Sequence, residues 1–180
     1  MMWRRKRVTV EPARFRHVLS HFCSGIVVVT GMTRNHPVGF TCQSFTSLSL
    51  EPPLVMFAAA RTSRSWPRVK AAGRFAVNVL ADEQEEISRT FARNGADKFA
   101  GLAWRTGVTG APLIEGALAH IECRLASAYD GGDHEIAVGR VVALEDHQPG
   151  EHPLLFFRSE YRSLRKESLG QEPMRWDADA

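Results

Sequence analysis

Small hydroxyls crowd into residues 37–65 in two groups: Thr41, Ser44, Thr46, Ser47 and Ser49, then Thr62, Ser63 and Ser65. A Pro-Pro step and the apolar run 54–60 separate the groups, and Arg61 and Arg64 stand within the second. Hydroxyls and backbone N–H groups on a loop entering a helix are what a phosphate-bearing ligand needs. The stretch therefore predicts such a ligand, with Ser65 also serving as a plain helix cap. Little else along the chain speaks of protein-borne catalysis. There is no nucleophile–base triad, HExxH, GxGxxG or P-loop. His134 follows a Gly-Gly-Asp turn, where a lone histidine more often marks a hairpin rim. His17, His21, His36, His120, His147 and His152 do not fall at metal-ligand spacing, so no metal site is expected. The three cysteines, Cys23, Cys42 and Cys123, include no CxxC and predict buried free thiols in a reducing cytoplasm.

The elements that must position these residues are short. Phe15, Val18, Leu19 and Phe22 recur at helical spacing over residues 11–23, with Pro12 suited to the first turn. Residues 26–31 form a β-branched run too short for a helix, hence a buried strand. A turn at 34–37 leads to a partner strand at 38–45. Residues 47–53 read as a polar connection, 54–60 as a strand, 65–72 as a helix and 74–80 as an alternating strand. A helix capped by Asp82 is expected over 82–93, then a loop over 94–103 and a turn over 106–112. Residues 117–129 predict a long strand whose Leu118, His120, Glu122 and Arg124 face is wet. Residues 130–133 form a strong turn, followed by strands at 134–146 and 153–157. Such short strands at hairpin spacing, with three short helices, predict an antiparallel barrel rather than a βαβ fold.

Composition agrees with one soluble domain. The 180 residues are 44% hydrophobic and 24% charged, with a net charge of +3 from 23 Lys+Arg against 20 Asp+Glu. Much of that excess sits in Arg4, Arg5, Lys6 and Arg7, so no nucleic-acid-binding face is expected. The start has no apolar signal segment, and no run approaches the roughly 20 apolar residues of a membrane span. Residues 11–166 are expected to form the domain, with 1–10 and 167–180 as flexible termini.

The segments GFTCQSFTSLSLEPPLV, SRSW, RFAVNVL, ADKFAG, GGDHEIAVGRV and PLLFFRSEYRSL, in this order and spacing, resemble the short-chain NAD(P)H:flavin oxidoreductases. These are the reductase components of two-component flavin-dependent monooxygenases. The resemblance implies a split β-barrel, usually a homodimer, that passes hydride from NADH, or NADPH, to FMN or FAD. The reduced flavin then serves a separate oxygenase. It places Pro37, Val38, Gly39, Phe40 and Thr41 beside the flavin ring and Gln43 and Ser44 along the ribityl side. Ala58, Ala59 and Ala60 suit a flat ring lying on backbone, or equally dense barrel packing. Arg61, Thr62, Ser63, Arg64 and Ser65 would close over the phosphate, while Thr46, Ser47 and Ser49 become structural. Asp97 and Lys98 match a DKF segment near the phosphates, although Lys98 also reads as an exposed loop charge. The resemblance puts His134 at the nicotinamide or flavin edge and Arg158 and Tyr161 along the nicotinamide pocket. Two other functions share this barrel type. One is a non-catalytic flavin- or haem-binding protein, and the other a pyridoxamine-phosphate-oxidase-like enzyme, for which no matching phosphate set is found.

Overall fold

The computed structural model describes residues 10–34, 36–95, 97–147 and 152–164. The chain's expected flexible ends therefore fall almost wholly outside the described residues. The described chain is mainly β, built from antiparallel pairs with a few short helices.

Helix α1 (Pro12–Leu19) begins at Glu11, whose carboxylate accepts from the Ala13 and Arg14 backbone N–H groups. After the short β1 (Ser24–Gly25) come β2 (Val27–Thr33) and β3 (His36–Cys42), paired from Val27–Cys42 to Thr33–His36. The expected four-residue turn is shorter, because β3 already begins at His36, and Arg34 adopts a φ of 47°. β4 (Thr46–Ser49) and β5 (Leu54–Ala60) follow, then α2 (Trp66–Ala72), β6 (Arg74–Val79) and α3 (Glu85–Ala92). A small hairpin, β7 (Trp104–Thr106) with β8 (Pro112–Ile114), precedes the long hairpin of β9 (Ala119–Gly131) and β10 (His134–Asp146). β11 (Leu155–Phe157) and β12 (Glu160–Arg162) complete the order.

Seven strands form the main sheet in the order β3-β2-β6-β9-β10-β5-β4, while β1, β11 and β12 form a second sheet. The continuous β-branched run in β2 has a clear cause, because both its faces are buried. Val27 and Val29 pack with Phe40, Phe57, Trp66, Phe75 and Val77, while Ile26 and Val28 pack with Leu80, Phe91, Ile114 and Leu154. α2 closes the first core with Trp66 and Val69, and α3 closes the second with Phe91.

Several expectations change. The polar connection contains β4, because Thr46 and Ser47 pair with Met56 and Val55 of β5. The 106–112 turn is flanked by the β7–β8 pair, and β12 adds a strand after 153–157. Residues 82–84 form a 3-10 turn, and its cap is not Asp82: the Gln84 side-chain oxygen accepts from the Ala81 N–H at 3.1 Å. Ser65 makes no side-chain cap bond to α2; the Ser63 hydroxyl accepts from the Trp66 N–H at 3.1 Å instead. The face expected to be wet buries His120 and Glu122, because the β7–β8 hairpin covers it and supplies their partners. Cys42 and Cys123 are buried, but Cys23 is exposed, just after α1, none of whose residues is buried. Phe15, Val18 and Leu19 lie on α1, but the helix ends at Leu19, short of Phe22, and all four are exposed, Phe22 at 81%. No described helix is long and apolar enough to cross a membrane.

Candidate cofactor site

Two clefts meet on one side of the main sheet. The first, of 560 Å³, runs between β3 and β5 and is bordered by α3, the start of β10 and the β11–β12 hairpin. Phe40, Thr41, Gln43, Ser44, Ala58, Ala59, Ala60, Thr62, Ser63, Lys98, His134 and Tyr161 line it. The second, of 550 Å³, is lined by Pro37, Val38, Gly39, Arg64, Ser65, Asp97 and Lys98, together with His36, Arg68 and Trp104. Asn94 and Lys98 line both. Each volume lies within the roughly 300–1,000 Å³ typical of small-molecule sites.

The sheet order explains the first cleft. β3 and β5 stand near opposite ends of the seven-stranded sheet, yet the loop after β3 reaches β5. There the Ser44 hydroxyl accepts from the Ala58 N–H at 2.8 Å and donates to the Ala58 carbonyl at 3.1 Å. A hydroxyl thus replaces a strand partner at the point where the ends of the sheet approach. Alanine at 58–60 keeps that floor low. Its alternation leaves Ala59 buried with Phe57 and Val55, and Ala58 and Ala60 half-exposed on the other side.

Lys98 is the cation at the junction. Its ammonium donates to the Phe91 carbonyl at 2.8 Å and the Gly39 carbonyl at 3.1 Å. An ammonium has three donors, so these carbonyls aim it without exhausting it. Partial burial holds its pKa below the ordinary lysine value. The expected exposed loop charge is thus a half-buried, oriented one. Asp97 turns inward on its own loop, its carboxylate accepting from the Phe99 N–H at 3.2 Å.

Thr41 and Tyr161 are joined through α3. The Thr41 hydroxyl donates to the Ser88 carbonyl at 2.6 Å, and the Ser88 and Tyr161 hydroxyls lie 3.0 Å apart. Tyr161 also stacks edge-on with Phe156 and carries the Arg89 guanidinium over its ring at 4.7 Å. Gly39 lines the second cleft, but the group that needs its missing side chain is internal. A Cβ there would stand 2.7 Å from the Phe91 ring.

His134 occupies the rim, paired across the strands with Ala60. Its Nδ1–H donates to the Asp133 carboxylate at 2.7 Å, which holds that carboxyl below its ordinary pKa. Glu135 next to it accepts from the Trp66 indole N–H at 2.7 Å and from Lys70 at 3.0 Å. Those two contacts, the indole first, hold the Glu135 carboxyl below the ordinary carboxylate range.

Two of the residues singled out in the sequence stand apart from both clefts. Arg61 turns back to the β9–β10 turn, where its Nε donates to the Gly132 carbonyl at 2.9 Å and its guanidinium meets Asp130 at 3.3 Å. Arg158 adopts a φ of 52° and lines a separate cleft with His17 and His21, its guanidinium over the Phe157 ring. Ser63 and Ser65, expected side by side at one phosphate, face different clefts.

The sequence reasoning missed Cys42, Phe91, Asn94 and Arg68 as lining residues. Arg68 lies on α2, two residues into the helix. Its guanidinium donates to the Thr33 hydroxyl at 3.3 Å. Cys42, Phe91 and Asn94 had no signal, since an apolar residue or loop amide looks the same whether it lines a cleft or fills a core. Burial raises the Cys42 thiol pKa, so this residue enters the cleft wall as a small apolar group.

The residues present fit a flavin nucleotide: a flat alanine floor, hydroxyl groups along one wall and one oriented cation between two clefts. Comparison with known proteins gives the same class. The profile of the flavin reductase like domain matches residues 19–165, and the chain belongs to that family. It is 46% identical over 171 residues to the flavin-dependent monooxygenase reductase subunit HsaB of Rhodococcus jostii (strain RHA1), covering 95% of this chain and 87% of that protein. Among solved structures, nitrilotriacetate monooxygenase component B from Mycobacterium thermoresistibile is 43% identical with a TM-score of 0.86, covering 93% of both chains. The NADH:FAD oxidoreductase SgcE6 of Streptomyces globisporus C-1027, in complex with NAD and FAD fragments, is 37% identical with a TM-score of 0.83, covering 89% of this chain and 98% of that one.

Proposed function

We propose that this protein is an NADH-dependent flavin reductase that passes hydride to FMN or FAD and supplies reduced flavin to a separate flavin-dependent oxygenase. The observation that carries this is the paired clefts joined at Lys98, in a chain of the flavin reductase like family. The bound flavin supplies the redox chemistry, and NADH the hydride.

The chain's own groups bind and orient. The Ala58–Ala60 backbone and the β3 residues Phe40 and Thr41 take the ring, and Gln43 and Ser44 the ribityl chain. Thr62, Ser63 and the Lys98 ammonium take the phosphate. The second cleft, with Arg64, Ser65 and Arg68, has room and charge for a further nucleotide half. Asp133 fixes the His134 tautomer by accepting from Nδ1–H, which leaves Nε2 as the ring nitrogen for a ligand at the cleft rim. Tyr161 closes the far wall through Ser88. Substituting His134→Asn lowers turnover more than it weakens flavin binding.

Residues 11–166 make up one split β-barrel domain; the Ser44–Ala58 hydrogen bonds across the ends of the sheet support the closure. The chain works as a cytoplasmic homodimer, and the exposed apolar face of α1 supports an interface there. A steady-state matrix of FMN, FAD and riboflavin against NADH and NADPH tests the activity. NADH oxidation is expected with FMN or FAD, and its absence with every flavin overturns the reading.

A further inference from the structure

At the end of the β9–β10 hairpin remote from the clefts, three side chains from separate positions in the sequence converge. His120 of β9 and Glu145 of β10 are direct cross-strand partners, and His147 follows the end of β10, its N–H held by the Leu118 carbonyl at 2.8 Å. The His147 Nε2 lies 3.0 Å from the His120 Nδ1 and 3.5 Å from the Glu145 Oε2, and the latter two atoms are 3.8 Å apart. Among the described residues this is the one trio of His, Cys, Asp or Glu side chains whose ligand atoms all lie within 4.8 Å of one another.

We propose that His120, Glu145 and His147 form a binding site for a divalent transition cation of the Zn²⁺ class, which clamps the base of the hairpin. Ligands at about 2.0–2.1 Å in tetrahedral array stand about 3.3 Å apart, and the three separations straddle that value. Two imidazoles and one carboxylate suit zinc and its first-row neighbours rather than calcium or magnesium. His120 is already set for ligation. Its side chain is buried, and its Nε2–H donates to the Ile114 carbonyl at 2.9 Å. That bond directs the Nδ1 lone pair toward His147 and Glu145, the arrangement by which an outer partner fixes a metal-bound histidine. Without a cation, the His147 Nε2–H donates to that lone pair; a cation takes the place of this proton. The half-exposed His147 and Glu145 leave the fourth position open to water.

The Arg105 guanidinium pairs with the same Glu145 oxygen and competes with the cation for it. This competition gives the proposal a distinctive test. The site is also independent of the reductase chemistry, since the length of β10 separates Glu145 from His134 by on the order of 30 Å.

The experiment titrates tag-free, chelator-stripped full-length protein with Zn²⁺ against a chromophoric competitor, with Co²⁺ absorption as a second readout. One cation per chain is expected, together with a higher melting temperature. His147→Ala should weaken binding at least about 100-fold, beyond the loss of an outer partner. Glu145→Gln should weaken it less. Arg105→Ala should tighten it severalfold, which a casual surface histidine would not do. His21→Ala on α1, where His17 and His21 stand four residues apart, should leave the affinity unchanged. His147 and Glu145 are half-exposed, so their variants keep the fold, checked by unchanged NADH oxidation. The proposal falls if no saturable binding occurs at micromolar protein and metal, if binding survives His147→Ala, or if it disappears with His21→Ala.

Discussion

The two ends of the β9–β10 hairpin are held by different physics. At the turn, Asp130 and Glu135 are joined to Arg61 and Lys70 by ion pairs open to solvent on at least one side, and Asp133 pairs with His134. At the base, His120 and Glu122 are buried, and each is tied to backbone of the β7–β8 hairpin or its loop. Glu122 accepts from the Val108 N–H, the Thr109 N–H and the Thr109 hydroxyl. Exposed ion pairs are worth little and rearrange readily, whereas a buried charge is tolerable only when fully partnered. The end beside the candidate cleft is therefore adjustable, and the opposite end is fixed.

The sharpest way to break this contrast is Glu122→Ala. It strands the Val108 and Thr109 donors, and should cost about 3 kcal/mol of unfolding free energy by urea titration. A cost comparable to that of a turn-end variant would remove the distinction. Gly107→Ala should act in the same direction, because a Cβ at Gly107 collides with the Glu122 carboxylate.

Gly39→Ala tests whether the cleft wall is as rigid as the hairpin base. Its Cβ would meet the Phe91 ring at 2.7 Å, so about 1–3 kcal/mol should be lost by urea titration, the cost of overpacking. Flavin affinity should fall with it, because α3 must shift.

Lys98→Met should weaken flavin binding about tenfold in a fluorescence titration, the scale of one charge-assisted hydrogen bond. The effect should be larger for FMN and FAD than for riboflavin, which has no phosphate. Equal loss for all three would move Lys98 away from the phosphate.

The smallest effect belongs to Glu135→Gln. In the wild type this carboxyl is held below its ordinary value, so its stabilisation is present above the unfolded value near about pH 4.3 and is lost as pH falls through the folded value. Urea midpoints of wild type and variant should therefore differ slightly at pH 7 and converge as the pH falls through the folded value.

Much of the fold was legible because hydrophobic period reports burial directly. The run at β2, the limits of β5 and β10, and the helix at α2 follow from their apolar patterns. β4, β7 and β12 were hidden because four residues or fewer carry no period, and their pairing with neighbours decides them. The wet face assigned to β9 failed for a related reason. Alternation identifies a polar face but not whether another hairpin covers it, and the β7–β8 hairpin does.

The site divides in the same way. Residue types singled out the hydroxyl-rich β3–β5 region, because a phosphate demands hydroxyls and backbone donors, whereas Lys98, His134 and Tyr161 came into view only through the family resemblance. The sequence could not say that Ser63 rather than Ser65 caps α2, that Arg61 turns to Asp130, or that Arg158 stands beside α1. Those outcomes depend on side-chain direction, and small differences in turn geometry set it. What the sequence determined by itself is a mainly antiparallel β protein of the flavin reductase like family, with a hydroxyl-rich stretch at residues 37–65 that lines both candidate clefts. Only the tertiary structure decided which neighbours share a cleft and that His120, Glu145 and His147 meet, because strand register brings together residues that chain spacing keeps apart.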